Sequence, residues 1–224
     1  MLEDGPQWTI EDIQNQLEVL ADKEFLRQYQ RFGIEARGGR GVRTPEIKSL
    51  AKEVGQSYDM ALALWDKPIH EMKLLAIRVM PAKQLTEDII RKWSHDIYSW
   101  DLCDSACLHL FRRVPFAHDQ SFQLAHEDGL FVRRVGLVLM TALVIHNKSI
   151  SQVAIEDYLG VAKKYSKDER PLIKKAVSWL LRQIGKSSSA RMAMVLPIAE
   201  EMATSVEKPE RWIGKDVLRE LRRR

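Results

Sequence analysis

Apolar residues recur at intervals of three and four positions along nearly the whole chain, as at Ile47, Leu50, Ala51 and Val54. This spacing places apolar side chains on one face of an α-helix. No segment shows the sustained two-residue alternation that is typical of a half-buried strand. The pattern therefore predicts an all-α protein.

Start and stop signals divide this pattern into short helices. Thr44-Pro45-Glu46 provides a capping hydroxyl, a proline and an early acid, and Gly55 ends that helix. Further helices are predicted at Met60–Trp65, Ile69–Met80, Thr86–Trp93, Leu102–Val114, Asp119–Glu127, Leu130–His146, Ile150–Tyr165, Glu169–Lys186, Ser189–Ala203 and Pro209–Arg222.

The order and spacing of these helices indicate a repeat architecture. Two-helix units recur about every 35 to 45 residues, the period of HEAT-type arrays, although no strict sequence repeat is visible. We predict HEAT-like helical repeats stacked in a curved right-handed solenoid, as a single domain over residues 1–224. The short linkers also permit a globular helix bundle.

Composition narrows the class of protein. The 224 residues are 45% hydrophobic and 29% charged, which allows a substantial core, and the net charge is +4. Cys103 and Cys107 cannot bridge within one regular helix, which favours a reducing compartment. Met1–Trp8 has acids where a secretory signal needs basic residues, and the apolar stretch Leu137–Ile145 is shorter than the about 20 residues of a bilayer span. We expect a cytoplasmic protein.

A glycine-rich segment interrupts the helical pattern early in the chain. It carries three arginines, Arg37, Arg40 and Arg43, on a backbone that can approach a phosphate closely. The segment is either a DNA-contacting loop or a flexible solvated linker.

The predicted helix Glu169–Lys186 has two contrasting faces. Ile173, Val177, Leu180 and Ile184 recur at steps of four, three and four and predict the core face. The opposite stripe holds Lys175, Trp179, Arg182 and Lys186 at the same steps. Cations with an interleaved aromatic ring are typical of a nucleic-acid surface, whereas an isolated tryptophan would instead pack on its neighbours.

A tryptophan and a carboxylate are also paired by helical spacing. Trp100 and Asp104 are four residues apart and share a face if the helix has begun by then. An acid in a first turn also stabilises a helix, so Asp101 or Asp104 could serve only as a cap.

Two further clusters carry charged or metal-ligating side chains. Arg133 and Arg134 begin an otherwise apolar helix, so at least one must face a carboxylate of this chain or a DNA phosphate. Cys103, Cys107 and His109 fit buried thiols better than a metal site, and we expect no metal.

Ordered blocks of residues resemble the bacterial DNA alkylation repair proteins of the AlkD type, which are HEAT-like-repeat DNA glycosylases. The similarity covers most of the chain, and the blocks are 41–46, 62–66, 69–71, 99–104, 131–134, 174–179, 182–186 and 211–216. The resemblance implies an active site on a concave basic face. Its catalytic residues match Trp100, Asp104 and Trp179, and its backbone-binding arginine matches Arg134.

The resemblance also implies an activity and a partner. The substrates would be N3- and N7-alkylated purines in duplex DNA, and their excision would need no base-binding pocket. We expect a monomer that uses no cofactor or metal and does not bind a membrane. A family tyrosine near the cleft matches Phe32, which lacks the hydroxyl. The side chains expected to contact DNA are Phe32, Arg37, Arg40, Arg43, Arg133, Arg134, Lys175, Arg182 and Lys186. The alternative is a non-catalytic helical-repeat scaffold that binds DNA or protein.

Overall fold

The computed structural model describes residues 8–223. Within that range the regular structure is helical: thirteen α-helices and two short 3₁₀ helices, at Ala82–Gln84 and Phe111–Arg113. The α-helices are α1 (Ile10–Val19), α2 (Lys23–Arg31), α3 (Thr44–Val54), α4 (Tyr58–Trp65), α5 (His70–Val79), α6 (Glu87–Asp96), α7 (Trp100–His109), α8 (Ala117–Ala125), α9 (Leu130–His146), α10 (Gln152–Lys164), α11 (Pro171–Ser187), α12 (Ser189–Thr204) and α13 (Lys208–Leu221).

Two compact units divide the chain. The first contains residues up to 90 together with 98–114, and the second contains residues 91–97 and those from 115 onward. In the first unit α5 packs on α3, α4 and α7, around a core that includes Leu64, Trp65 and Leu75. In the second unit α9 packs on α8 and α11, and α11 contacts α10, α12 and α13. The single-domain prediction stays a prediction.

Local signals explain most helix ends, with one correction. Gly55 ends α3 with φ +76°, as its sequence predicted. Thr44, however, does not cap α3: the helix already includes it, and Arg43 holds the cap position without a side-chain hydrogen bond. Further along, Ser57 caps α4 by accepting from the Met60 N–H. α4 therefore begins at Tyr58, two residues before the predicted Met60.

The most apolar helix is a core element of the second unit. Leu137–Ala142 of α9 are fully buried, whereas Ile145 is 39% exposed, and Gly136 lets α9 approach α8 closely. A Cβ at Gly136 would lie 2.3 Å from the Ala125 nitrogen. Among residues 8–223, no helix combines the length and the apolarity needed to span a membrane. The predicted absence of a secretory signal rests on residues 1–8, of which 1–7 lie outside the described range.

Candidate nucleic-acid interface

In the first unit, α7 presents Trp100 and Asp104 on one face. Four of its side chains, Leu102, Cys103, Ala106 and Cys107, are buried. The opposite face therefore carries Trp100, Asp104 and Leu108 at steps of four, and all three line a cavity of about 310 Å³. The predicted pair thus lies beside this cavity, and Asp104 is partly exposed.

The Trp100 indole is held in place by the end of α2. Its Nε1 donates a hydrogen bond of 3.0 Å to the carbonyl oxygen of Phe32. Phe32 ends α2, and its ring is 63% exposed while lining the same cavity. The structure therefore brings Phe32, Trp100 and Asp104 together within one unit.

Two cavity residues have no counterpart in the sequence prediction. Tyr29 of α2 donates from its hydroxyl to the Val42 carbonyl oxygen, and Arg78 of α5 lines the wall one turn beyond Leu74. Arg78 stands in a helix whose neighbouring residues, Ile77 and Val79, are buried. The only signal in the sequence that could have indicated Arg78 is its position as a cation near the end of an apolar helix.

Asp101, next to Trp100, serves the helix and the core. Its Oδ2 lies 2.7 Å from Nε2 of the fully buried His70, and its Oδ1 accepts from the Ser99 hydroxyl. Burial acts to raise the pKa of the Asp101 carboxyl, but the hydrogen bonds from His70 and Ser99 outweigh it and leave the pKa below its usual value. Of the two acids, Asp101 therefore takes the first-turn role, and Asp104 lies beyond the first turn.

The glycine-rich segment is anchored by a buried carboxylate. Glu71 Oε1 accepts from the backbone N–H groups of Arg40, Gly41 and Val42 at 2.9, 2.8 and 3.3 Å. Gly41 has φ +76°, and a Cβ there would lie 2.2 Å from the Asp22 carbonyl oxygen. These three amides are thus occupied, and the prediction that this backbone approaches a phosphate is wrong for them. Gly41 and Val42 are buried, so this part of the segment is not a solvated linker.

The arginine side chains of this segment have partners within the first unit. Arg37 pairs with Glu35 and stacks on Tyr98, with its guanidinium carbon 4.1 Å from the ring centre. Arg40 pairs with Glu18, and Arg43 pairs with Asp22. Arg37 and Arg43 are nevertheless exposed, so their predicted DNA contacts stay predictions.

In the second unit, α11 has the two faces that its spacing predicted. Ile173, Val177, Leu180 and Ile184 are fully buried. On the other stripe Lys175 is exposed and Trp179 is partly exposed.

Two of the stripe's cations have acidic partners on α13. Arg182 Nε lies 3.6 Å from Asp216 Oδ2, and Lys186 Nζ contacts Glu220. The charge of this stripe is therefore partly neutralised within the unit.

The two arginines of α9 are both buried. Arg133 pairs with Asp128 at 2.8 Å and with Asp168 at 3.4 Å, and its guanidinium lies over the Tyr165 ring. The charged partners of Arg133 are thus two carboxylates of this chain, one of the two alternatives predicted for this pair of arginines. Its DNA contact stays a prediction.

Arg134, beside it, donates from Nη1 to the Leu172 carbonyl oxygen at 2.9 Å. It is 5% exposed, and its phosphate contact stays a prediction.

An aromatic residue of α13 adds to the second unit's surface. Trp212 is 38% exposed, and Lys174 Nζ lies 4.7 Å from its ring centre. The resemblance covered this segment without assigning Trp212 a role.

Cys103 and Cys107, in the first unit, are buried thiols that form no disulfide. The described residues contain no group of three histidines, cysteines or acids that could hold a metal ion.

A family model described as DNA alkylation repair enzyme matches residues 13–203. The chain belongs to that family. This confirms the family assignment made from the sequence. A role of this chain in DNA repair follows from it. The match spans both compact units.

Two solved structures are similar to this chain, and the first of them has the same fold. One, described as a new family of proteins related to the HEAT-like repeat DNA glycosylases with affinity for branched DNA structures, is 18% identical with a TM-score of 0.79, over 95% of each chain. A designed armadillo repeat protein is 13% identical over 97% of this chain and 96% of its own, with a TM-score of 0.41, too low to support an argument. No curated protein matches the sequence. The predicted all-α, HEAT-like-repeat fold class is confirmed.

Proposed function

We propose that this protein is a DNA glycosylase that excises cationic N3- and N7-alkylated purines, such as 3-methyladenine and 7-methylguanine, from duplex DNA. The observation that carries the proposal is the placement of Trp100 and Asp104 on one face of α7, beside an open cavity, in a member of the alkylation repair enzyme family. Asp101 is committed to His70, so Asp104 is the carboxylate assigned to the reaction.

The reaction needs a negatively charged carboxylate but no general acid to protonate the leaving base. An N3- or N7-alkylpurine is positively charged, so its glycosidic bond is already weakened and the base leaves without protonation. As that bond breaks, an oxocarbenium-like cation develops on the sugar. Asp104 stabilises this cation and orients the attacking water. Such a reaction selects cationic lesions without drawing the base into a pocket.

The remaining residues hold the DNA. Trp100 and Trp179 contact the deoxyribose and backbone at the lesion, where their rings favour a cationic nucleotide. Arg134 contacts a phosphate, as the family resemblance implies. Trp179 and Arg134 belong to the second unit, and their joint action with Trp100 and Asp104 rests on the family resemblance.

The direct test is release of free base by the wild-type chain. Duplex DNA treated with a methylating agent is incubated with the protein without added metal, and the released bases are separated by chromatography. We expect 7-methylguanine and 3-methyladenine to appear, with unmodified guanine and adenine retained in the DNA. If no methylated base is released above a protein-free control, the glycosylase proposal fails.

A second candidate is a repeat protein that binds DNA without excision. It is favoured by the solved relative described as having affinity for branched DNA structures, and by the internal ion pairs of Arg133, Arg182 and Lys186, which reduce the charge available to phosphates. Tight binding to a four-way junction together with no base release would support this candidate over the first.

Both candidates require DNA affinity that depends on salt. With about three phosphate contacts, affinity for a duplex should fall about 40-fold between 50 and 200 mM salt, because each neutralised phosphate contributes about 0.9 to the logarithmic slope. Fluorescence anisotropy with a labelled duplex measures it. Lys175→Gln should reduce the slope by about one, whereas Lys148→Gln, on an exposed loop of the same unit, should leave it unchanged. A flat salt response would contradict DNA binding itself.

A further inference from the structure

The cavity beside Trp100 contains a cation that no acid of the described chain neutralises. Arg78 Nε is buried and has no hydrogen-bond partner. Burial alone lowers the pKa of the Arg78 guanidinium, with no contribution from a neighbouring charge. Asp101 and Asp104 also line the cavity, and neither contributes to the pKa shift of Arg78. A half-buried arginine stays charged, and an unpaired buried charge is costly, so the site favours an anion from outside the chain.

The rest of the cavity wall is aromatic and apolar. Tyr29, Phe32 and Trp100 line it, together with Phe25, whose ring meets Tyr29 edge-on with centres 5.1 Å apart. Two of these side chains are fixed by hydrogen bonds to backbone oxygens, from the Tyr29 hydroxyl to Val42 and from the Trp100 indole to Phe32. Flat rings held in place suit a flat aromatic ligand, as in proteins that stack single bases.

The volume of the cavity sets the size of the ligand. At about 310 Å³ it is at the lower end of the range for small-molecule sites, about 300 to 1,000 Å³. It fits one planar ring system with an attached anionic group.

We propose that this cavity binds a single unstacked nucleotide, with the base among Tyr29, Phe32 and Trp100 and the phosphate on Arg78. The choice of a nucleotide among aromatic anions rests on the proposed function. Trp100 and Asp104 line this cavity and also act in the proposed excision, so a nucleotide bound here adjoins the one that is cleaved. The same chemistry is offered by a free mononucleotide and by an unpaired nucleotide at a strand end.

The first experiment compares deoxyadenosine 5′-monophosphate with deoxyadenosine on the full chain. Titrations follow the indole N–H signal of Trp100 by NMR, assigned with Trp100→Phe. The monophosphate should shift this signal and bind at least tenfold more tightly than the nucleoside, because only the monophosphate reaches the guanidinium. Both affinities are measured on the wild-type chain, and the variant serves only to assign the signal. Equal affinity for the two ligands would overturn the proposal.

The second experiment separates the two sources of the nucleotide. A duplex carries 2-aminopurine either in a one-nucleotide 3′ overhang or fully paired. Quenching of the overhang on binding identifies a strand end as the source, whereas binding of the monophosphate alone identifies a free nucleotide. Either result supports the cavity as a nucleotide site. If neither probe binds, the proposal is wrong.

Arg78 variants test the anion contact itself. Arg78→Gln should weaken binding of the monophosphate at least tenfold, and Arg78→Lys, which keeps the charge, should weaken it less. Lys52→Gln, an exposed site on α3 of the same unit, should leave it unchanged. Thermal unfolding shows that each variant is folded. An Arg78→Gln protein that is folded and binds as the wild type does would remove the proposed phosphate contact.

Base release measured on the same preparations separates this inference from the proposed function. Methylated-base release without nucleotide binding would overturn the cavity proposal and leave the glycosylase intact. Nucleotide binding without base release would support the cavity proposal and contradict the glycosylase proposal.

Discussion

Asp104→Asn should release 7-methylguanine from methylated duplex DNA several hundred-fold more slowly than the wild type. Asparagine keeps the size of the side chain and removes its charge. A carboxylate about 4 Å from the developing cation contributes about 4 kcal/mol at an effective dielectric near 20, and about 1.4 kcal/mol corresponds to a tenfold change in rate. The single-turnover rate of base release, with protein in excess over DNA, measures the effect on the chemical step.

The matched control for this variant is Glu53→Gln. Glu53 is an exposed acid of α3 in the same unit, so its replacement removes one negative charge away from the cavity. Its rate should stay within about twofold of the wild type, because exposed charges are strongly screened. Equal midpoints of thermal unfolding would show that all three proteins are folded. An Asp104→Asn rate close to that of Glu53→Gln would remove Asp104 from the mechanism.

The helices were predictable where local signals and packing agree. The predicted Leu130–His146 has the bounds of α9, because a continuous apolar run follows Gly129 and ends at polar residues. The predicted Leu102–Val114 is different: α7 begins at Trp100 and ends at His109, and Leu110 turns the chain with φ −126° and ψ −66°. The apolar spacing continues through Phe111, so no local signal marks this break.

The site was predictable where it depends on spacing within one helix. Trp100 and Asp104 share a face of α7 because they are one turn apart. Arg133, in contrast, is neutralised by Asp168, which is 35 residues away, and Glu71 binds amides about 30 residues before it. Nothing in the local pattern of a helix indicates which distant group neutralises its charge. The cavity and the role of Arg78 in it could not be predicted for the same reason, because residues of several helices form the wall of the cavity.

The prediction with the largest effect on stability concerns Glu71. Glu71→Ala should lower the free energy of unfolding by about 3 kcal/mol, because three backbone N–H groups at residues 40–42 lose their acceptor, and an unsatisfied buried donor costs about 1 to 3 kcal/mol. Loss of an unfavourably buried charge offsets part of this cost. Urea denaturation followed by circular dichroism measures the change.

Two variants show whether the loss of stability comes from the three backbone N–H groups at residues 40–42 or from the lost charge. Glu71→Gln keeps an oxygen at the position of Oε1 but places an amide at Oε2, which is buried and has no hydrogen-bond partner, so it should lose less than Glu71→Ala. Glu18→Ala removes only the exposed ion pair to the side chain of Arg40 in the same segment and should cost under about 1 kcal/mol. A Glu71→Ala protein no less stable than Glu18→Ala would mean that solvent satisfies these amides, and that the segment does not depend on the carboxylate for its conformation.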